Sequence, residues 1–199
     1  IASAVCLSPA AQYDQRLINL SSRARISPGD NNVLIAGFVV SDGAPKQVLI
    51  RAVGPSLAQP GFGLTSGQVL SNPRLELFDR NGTKVLENDN WNTSAGGSVA
   101  SNAHFDSVGA FRYLSNGSQD AALIATLSPG LYTAKVSGAG TSSGIALVEV
   151  YDVTGAAQLL NLSSRAQVQS GANLLISGLV VGPGSGVRRL LVRAAGPSL

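Results

Sequence analysis

Short apolar runs, separated by glycine, proline and asparagine, dominate the hydrophobic pattern of this chain. Residues 33–40 (VLIAGFVV) form a continuous apolar run, which is typical of a strand buried on both faces. Residues 41–45 have the composition of a turn, so residues 46–53 are predicted to return as the hairpin partner of the first run. Gly54-Pro55 ends the second strand, because proline cannot donate a hydrogen bond to a sheet.

The segment 74–153 carries further strand signals. Residues 74–79 alternate between apolar and polar side chains, and Asn81-Gly82 is the strongest short hairpin signal, with residues 84–88 as the returning strand. Three more strands are predicted at residues 121–127, 131–137 and 145–153. We therefore expect residues 74–153 to form one antiparallel sandwich.

One stretch breaks the strand pattern. Gly109 is predicted to end a short helix within residues 98–109, whose apolar face consists of Val99, Ala103, Phe105 and Val108. The fold class that follows is all-β: an antiparallel β-sandwich or jelly-roll of repeat modules, with at most this one short helix.

A block of the sequence occurs twice. Residues 17–57 return as residues 159–199 at a constant offset of 142 residues, and both copies contain NLSSRA near the start and GPSL at the end. The chain is therefore divided into an N-terminal segment (1–15), a full repeat unit (16–157) with a hairpin block (16–57) and a sandwich (74–153), and a partial second repeat (158–199).

Composition excludes several functional classes. Charged residues are only 13% of the chain and the net charge is +3 without a basic stripe, so nucleic acid is not an expected partner. No stretch approaches the roughly 20 apolar residues of a membrane helix. His104 and Cys6 are the only residues of their types, too few for an ordinary zinc site. No motif sets a nucleophile beside a base, so we expect His104 to be structural and the protein not to be an enzyme.

Calcium is the one metal that the sequence favours. Asp79, Asn88 and Asp89 belong to a cluster of oxygen-bearing side chains around the predicted hairpin and the loop after it, and calcium takes ligands of this type. The alternative is that Asp79 builds the turn, while Asn88 and Asp89 bond to the backbone of a polar loop. We favour this alternative and expect no other cofactor.

Carboxylates on the predicted strands have the residue types of a glycosidase pair. The candidates are Glu76 with Glu149 and Asp79 with Asp152. Because these residues alternate with apolar ones, they are predicted to face solvent instead of forming a catalytic pair. Glycans remain candidate partners, since Trp91, Tyr113 and Tyr132 have the residue types of a sugar-binding platform, although the pattern around Tyr132 predicts a core position.

The segment 74–153 resembles the bacterial pre-peptidase C-terminal β-sandwich family. The likeness rests on four stretches: LELFD at 75–79, ENDNW at 87–91, PGLYTAKVSG at 129–138 and ALVEVYD at 146–152. Together with the block at 16–57, the chain is similar to a repeat of large secreted proteins from environmental bacteria such as Verrucomicrobia. The resemblance implies a secreted, multi-copy, non-catalytic module and carries over no active site.

The N-terminus also indicates secretion, because residues 1–11 (IASAVCLSPAA) resemble the end of a processed secretory signal or a mature start exposed by cleavage. The predicted function is a non-catalytic structural protein, extracellular or at the cell surface, whose copies form a head-to-tail filament or surface layer. A carbohydrate-binding or adhesion module and an accessory domain of a secreted hydrolase are the alternatives.

Six residues are expected to take part in assembly. Residues 1–11 are predicted to be donated as a strand to the next subunit, with Cys6 buried at the joint. Two arginines recur in each copy of the block, and those that end an apolar strand just before Gly-Pro are expected to bond loop carbonyls or a carboxylate of a neighbouring module. Besides Cys6, the assembly residues are Arg51, Leu175, Ile176, Val180 and Arg193.

Overall fold

The computed structural model describes residues 16–29, 31–93, 98–168, 173–182, 187 and 189–196. Within them the strands are β1 (Leu17–Ile26), β2 (Leu34–Val40), β3 (Lys46–Val53), β4 (Pro73–Asp79), β5 (Lys84–Asn88), β6 (Ala121–Leu127), β7 (Gly130–Gly138), β8 (Gly144–Thr154), β9 (Leu159–Arg165) and β10 (Ile176–Val181). A 3₁₀ turn (Pro55–Ala58) follows β3, and helix α1 (Asn102–Ser107) lies between β5 and β6.

The strands form one antiparallel sheet that folds back on itself into two layers. One layer has the order β5-β4-β7-β2-β9, and the other has the order β10-β1-β8-β3-β6. The single antiparallel pair between Leu17 and Leu159 joins β1 to β9 and so connects the layers. The predicted all-β antiparallel fold with one short helix is confirmed. No helix among the described residues has the length and apolar character needed to cross a membrane.

The predicted hairpin between residues 33–40 and 46–53 is wrong. β2 pairs with β7 and β9, whereas β3 pairs with β6 and β8 in the other layer. Both strands are strongly apolar, and a neighbour on each edge buries them better than a two-stranded ribbon would. The β4–β5 hairpin is present as predicted, and Gly82 in its turn has a φ of 76°, which favours glycine.

The segment 74–153 is consequently not a sandwich by itself. We call residues 17–57 the first block, residues 159–199 the second block and residues 73–154 the body. The strands of the first block, β1, β2 and β3, each pair with strands of the body. The first block and the body therefore fold as one unit.

Two cores hold this unit together. The main core lies between the layers, and a second core covers the outer face of β3 and β8. In β3, Val48 and Ile50 belong to the main core while Leu49 belongs to the second core, so both faces of this strand are buried. The second core is built from the segments around the 3₁₀ turn and α1, and Trp91, Phe105 and Tyr113 pack on one another within it.

Helix α1 fixes part of the second core. Ser101 caps its first turn: the Ser101 hydroxyl accepts from the His104 amide, and the Ser101 amide donates to His104 Nδ1 at 3.1 Å. Phe105 is buried as predicted, but Val99 and Ala103 are exposed, so that part of the predicted apolar face is wrong. A helix of six residues is too short to bury a continuous stripe.

Candidate assembly site

The two blocks pair with each other reciprocally. β9 is the copy of β1 and pairs with β2, while β10 is the copy of β2 and pairs with β1. Leu17 faces Leu159, which is its own copy, in an antiparallel pair. Antiparallel pairing of a residue with its own copy is what a local two-fold axis produces. The blocks are thus related by an approximate two-fold axis that passes between these two leucines.

The symmetry is approximate because the two ladders differ by one residue. In the β2–β9 ladder, Phe38 faces Leu162, the copy of Leu20. In the β1–β10 ladder, Val180, the copy of Phe38, faces Asn19. The Ser177 hydroxyl lies between the two ladders, 2.9 Å from that of Ser22 and 2.7 Å from that of Ser164. Ser164 is the copy of Ser22, so equivalent hydroxyls of the two blocks contact one shared residue.

Equivalent apolar residues of the two blocks have very different exposures. Leu34 of β2 is 0% exposed and its copy Ile176 is 48% exposed, while Phe38 is 2% exposed and its copy Val180 is 47% exposed. In the part of the chain that the structure describes, β10 pairs only with β1, whereas β2 has strands on both edges. Leu175 differs from Ile176 and Val180, because it is half-buried against the main core.

Arg51 lies in the interior, at the centre of an aromatic cage. Its guanidinium carbon is 4.6, 4.4 and 4.5 Å from the ring centroids of Phe105, Phe111 and Tyr113. Nη2 donates to the Phe111 carbonyl at 2.8 Å, and Nη1 lies 3.1 Å from Oε2 of Glu149. The prediction that this arginine bonds a loop carbonyl and a carboxylate agrees with these contacts, but the carboxylate belongs to the same unit and not to a neighbouring module.

The charge on Arg51 is supported by its surroundings. Desolvation lowers the pKa of Arg51, but Tyr113 and Glu149 more than offset this, so its pKa is raised overall. Burial raises the pKa of Glu149, against the opposing effects of Arg51 and of the Tyr151 hydroxyl, which donates to Oε1 at 2.8 Å. A buried cation and a buried carboxylate thus depend on each other.

Arg193, the copy of Arg51, is not buried in such a cage. Arg193 is exposed, and no strand forms over residues 189–196, although residues 189–195 are the copies of residues 47–53 in β3. The apolar side chains there are exposed too: Leu191 is 86% exposed, whereas its counterpart Leu49 is 0% exposed. β3 forms between β6 and β8, and the first block already occupies that place. Cys6, the remaining predicted assembly residue, lies outside the described residues.

Asp120 of the body fixes the GPSL end of the first block. Its Oδ1 accepts from the amides of Gly54 and Ser56 at 2.7 and 3.2 Å. Its Oδ2 accepts from the Ser56 hydroxyl at 2.5 Å and from the Ser118 hydroxyl. The fully buried carboxylate therefore satisfies four donors. Sequence reasoning missed Asp120, because no strand or motif marks it.

A matched pair of glycine substitutions tests this junction. A Cβ on Gly54 would lie 2.1 Å from the Leu70 carbonyl oxygen, whereas a Cβ on Gly196, its copy, would have nothing within 4 Å. We expect Gly54→Ala to lower the free energy of unfolding by about 2 kcal/mol, because the neighbouring backbone must move. Gly196→Ala should leave it nearly unchanged in urea unfolding of the same chain. Equal effects of the two substitutions would contradict the difference in packing.

The structure does not bring the predicted calcium ligands together. Asn88 faces Leu75 on β4, and Asp79 lies four residues further along that strand, so the two side chains are about 13 Å apart. Asp79 accepts from the amides of Asn81 and Thr83, as the turn alternative predicts.

The other two predicted calcium ligands, Asn88 and Asp89, make contacts with neighbouring protein groups. Asn88 donates to the carbonyls of Asn90 and Thr93 and accepts from the Ala122 amide, which uses its polar atoms. Asp89 borders a surface groove that is also lined by Arg74 and Glu87, which form an ion pair with each other at 2.7 Å. Calcium binding itself stays a prediction.

The prediction that the strand carboxylates face solvent is wrong for three of them. Glu149 and Asp152 are buried on β8, and Glu76 is buried on β4. Asp152 lies 2.6 Å from Nζ of the fully buried Lys46. Alternation indicates a solvated face only where nothing covers it. The second core covers the face of β8 that carries Glu149, whereas Asp152 lies opposite Val48 on the face that belongs to the main core. Because β4 and β8 lie in different layers, Glu76 and Glu149 do not form a pair.

The predicted sugar platform is part of the packing. Trp91 and Tyr113 are buried in the second core, with ring centroids 5.5 Å apart. Tyr132 is half-buried and stacks on Phe38 at 5.7 Å, as its strand pattern predicts. These three side chains do not form a common exposed surface.

Comparisons with known proteins add no relative. No family model matches the chain, and no curated protein is similar enough in sequence to count as a match. The resemblance to the pre-peptidase C-terminal family and to secreted bacterial repeats therefore stays a prediction. The geometry of the two blocks is what the functional argument rests on.

Proposed function

We propose that this chain is a non-catalytic, secreted structural protein, a subunit of an extracellular filament or surface layer whose repeat units join head-to-tail. One observation carries the proposal: the second block exposes apolar residues that the first block buries at the same positions. Apolar surface of this kind marks a surface that another protein covers.

The edge of β10 supports the same proposal. Exposed edge strands are normally protected by charged residues, prolines or bulges, which hinder pairing with another strand. β10 has the sequence ISGLVV and contains none of these residue types. It also pairs with β1, so it is already extended and aligned for a second neighbour. A strand with these properties favours association over solvation.

The absence of catalysis is a proposal that rests on what the candidate groups do instead. His104, the only histidine, caps helix α1 through Nδ1. Glu149 and Asp152 form buried ion pairs with Arg51 and Lys46. These groups support the fold, and the carbohydrate-binding and hydrolase-accessory alternatives gain no specific contact from them.

Self-association measured by light scattering and negative-stain electron microscopy tests the proposal. We expect the full chain to associate with rising concentration, and Ile176→Asp with Val180→Asp to abolish association, because a buried charge opposes strand pairing. Leu114→Asp is the matched control, since Leu114 is similarly exposed but lies in a loop of the body. A full chain that stays monomeric at high concentration, or equal effects of both changes, would contradict the proposal.

The predicted strand donation by residues 1–11 is tested separately. Deleting these residues is expected to abolish association and leave the circular dichroism of the β-sandwich unchanged. Association that persists without residues 1–11 would contradict donation by this segment, but it would leave assembly through the second block standing.

A further inference from the structure

The strands of the body that pair with the first block have no counterparts beside the second block in the part of the chain that the structure describes. In the first block, β1 pairs with β8, β2 pairs with β7, and β3 lies between β6 and β8. All three neighbouring strands, β6, β7 and β8, belong to the body. The second block repeats the sequences of these strands, yet β9 and β10 pair only with the first block, and the copy of β3 forms no strand.

The surface that the second block exposes is the surface that the body covers in the first block. The exposed side chains of Ile176 and Leu191 are copies of Leu34 and Leu49, which the body buries. Exposed Arg193 is the copy of Arg51, which the body holds between three aromatic rings and Glu149. The residues that are exposed in the second block and buried in the first block therefore include a charged residue as well as apolar ones.

We infer that the second block binds a second copy of the body, residues 73–154, in the way the first block binds the first. In this contact β9 pairs with the second copy of β8 and β10 with the second copy of β7. Residues 189–196 form a strand between the second copies of β6 and β8. Arg193 enters the second aromatic cage beside the second copy of Glu149. The inference rests on the proposed function only in that repeat units adjoin one another.

The local two-fold axis makes this contact geometrically consistent. β1 uses one edge for β8 and the other for β10, which belongs to the second block. By the same symmetry β9 uses one edge for β2. Its other edge, which pairs only at Leu159 with Leu17, corresponds to the β8 side of β1. The layer β5-β4-β7-β2-β9 then continues into β8, β3 and β6 of the second body. The two bodies joined in this way are consequently related by an approximate two-fold rotation, with both layers continuous across the junction. Such a contact closes on two units, so head-to-tail joining of further units uses other surfaces.

The strands of the body already pair with the first block of the same chain. The test therefore adds a second copy of the body, whose strands have no first block to pair with. Residues 58–157 are appended after Leu199, and Trp91→Phe in the first body leaves the appended copy of Trp91 as the only tryptophan. We expect its emission to be blue-shifted, as for a buried indole. Arg193→Ala should then lower the unfolding midpoint of the second body as much as Arg51→Ala lowers that of the first. A solvent-exposed tryptophan, or an Arg193→Ala variant without effect, overturns the inference.

Disulfide formation tests the strand pairing independently. Arg25 faces Ile145 in the β1–β8 ladder, and Gln167 is the copy of Arg25. With Cys6→Ala, we expect Gln167→Cys to form a disulfide with a cysteine at the appended copy of Ile145. Arg25→Cys with Ile145→Cys is expected to form the equivalent disulfide in the first unit. A disulfide in the first unit alone contradicts the inference. An extended chain that passes both tests but forms no filament refutes the proposed function and leaves the inference standing.

Discussion

Replacing Arg51 with alanine should lower the free energy of unfolding by about 3–5 kcal/mol, the usual effect of removing one partner of a buried ion pair. The substitution leaves the Glu149 carboxylate buried without its cation and empties the space between Phe105, Phe111 and Tyr113. It also leaves the Phe111 carbonyl without its donor. Urea unfolding followed by the fluorescence of Trp91, which packs on Phe105, measures the loss.

Arg193→Ala is the matched control for this prediction. The two arginines occupy equivalent positions of the repeat, but Arg193 is exposed, so its replacement should change the stability by less than about 0.5 kcal/mol. Arg51→Met combined with Glu149→Gln should recover part of the loss, because no unpaired charge then stays buried. Equal losses for Arg51→Ala and Arg193→Ala would contradict the structural assignment of both residues.

The loss in Arg51→Ala should also depend on pH. Burial already raises the pKa of Glu149, and removing Arg51 raises it further. A carboxyl whose pKa is higher in the folded state than in the unfolded state stabilises the fold while it is protonated. This stabilisation is fully present below the unfolded pKa and is lost as the pH rises through the folded pKa. The variant should therefore be closest to the parent near pH 4, around the unfolded glutamate pKa of about 4.3, and furthest from it at neutral pH. A loss that is the same at both pH values would contradict the unpaired-carboxylate explanation.

The positions of most strands follow from local sequence, but their partners do not. The β4–β5 hairpin was predictable because Asn81-Gly82 sets the turn by its own backbone preferences. The link between β2 and β3 contains a similar turn signal, Asp42-Gly43, yet it crosses between layers. β2 pairs with the distant strands β7 and β9, and β3 pairs with the distant strands β6 and β8. The local pattern of apolar and polar residues does not indicate these partners.

Burial of both faces of β8 explains the errors at the site. Alternation predicted that Glu149 and Asp152 face solvent, but the second core covers Glu149, and Asp152 lies on the other face, opposite Val48 of the main core. The sequence did contain a counter-signal in β3, because VLIRAV is apolar at successive positions instead of alternate ones. A strand buried on both faces with an arginine inside it requires a carboxylate or a cage nearby. The reciprocal pairing of the blocks had no local signal, since it depends on a contact across 142 residues.

Replacing Asp120 with alanine is the other change with a large expected effect. The buried amides of Gly54 and Ser56 would lose their acceptor, as would the hydroxyls of Ser56 and Ser118. Each buried donor left unsatisfied costs about 1–3 kcal/mol, so we expect a loss of at least about 3 kcal/mol. Asp120→Asn keeps one acceptor oxygen and should lose less.

The control for this prediction is another aspartate of the body. Asp106 pairs with Arg112 at the surface, and Asp106→Ala should leave the unfolding midpoint nearly unchanged, because exposed ion pairs contribute little. The Ser56 hydroxyl also accepts from the Leu114 amide, so the loss of Asp120 should loosen the 3₁₀ turn and the Leu114 segment together. Faster amide hydrogen exchange at Ser56 and Leu114, with unchanged exchange in β4 and β7, would show that Asp120 ties the end of the first block to the body. Unchanged exchange at Ser56, or a loss no larger than that of Asp106→Ala, would show that it does not.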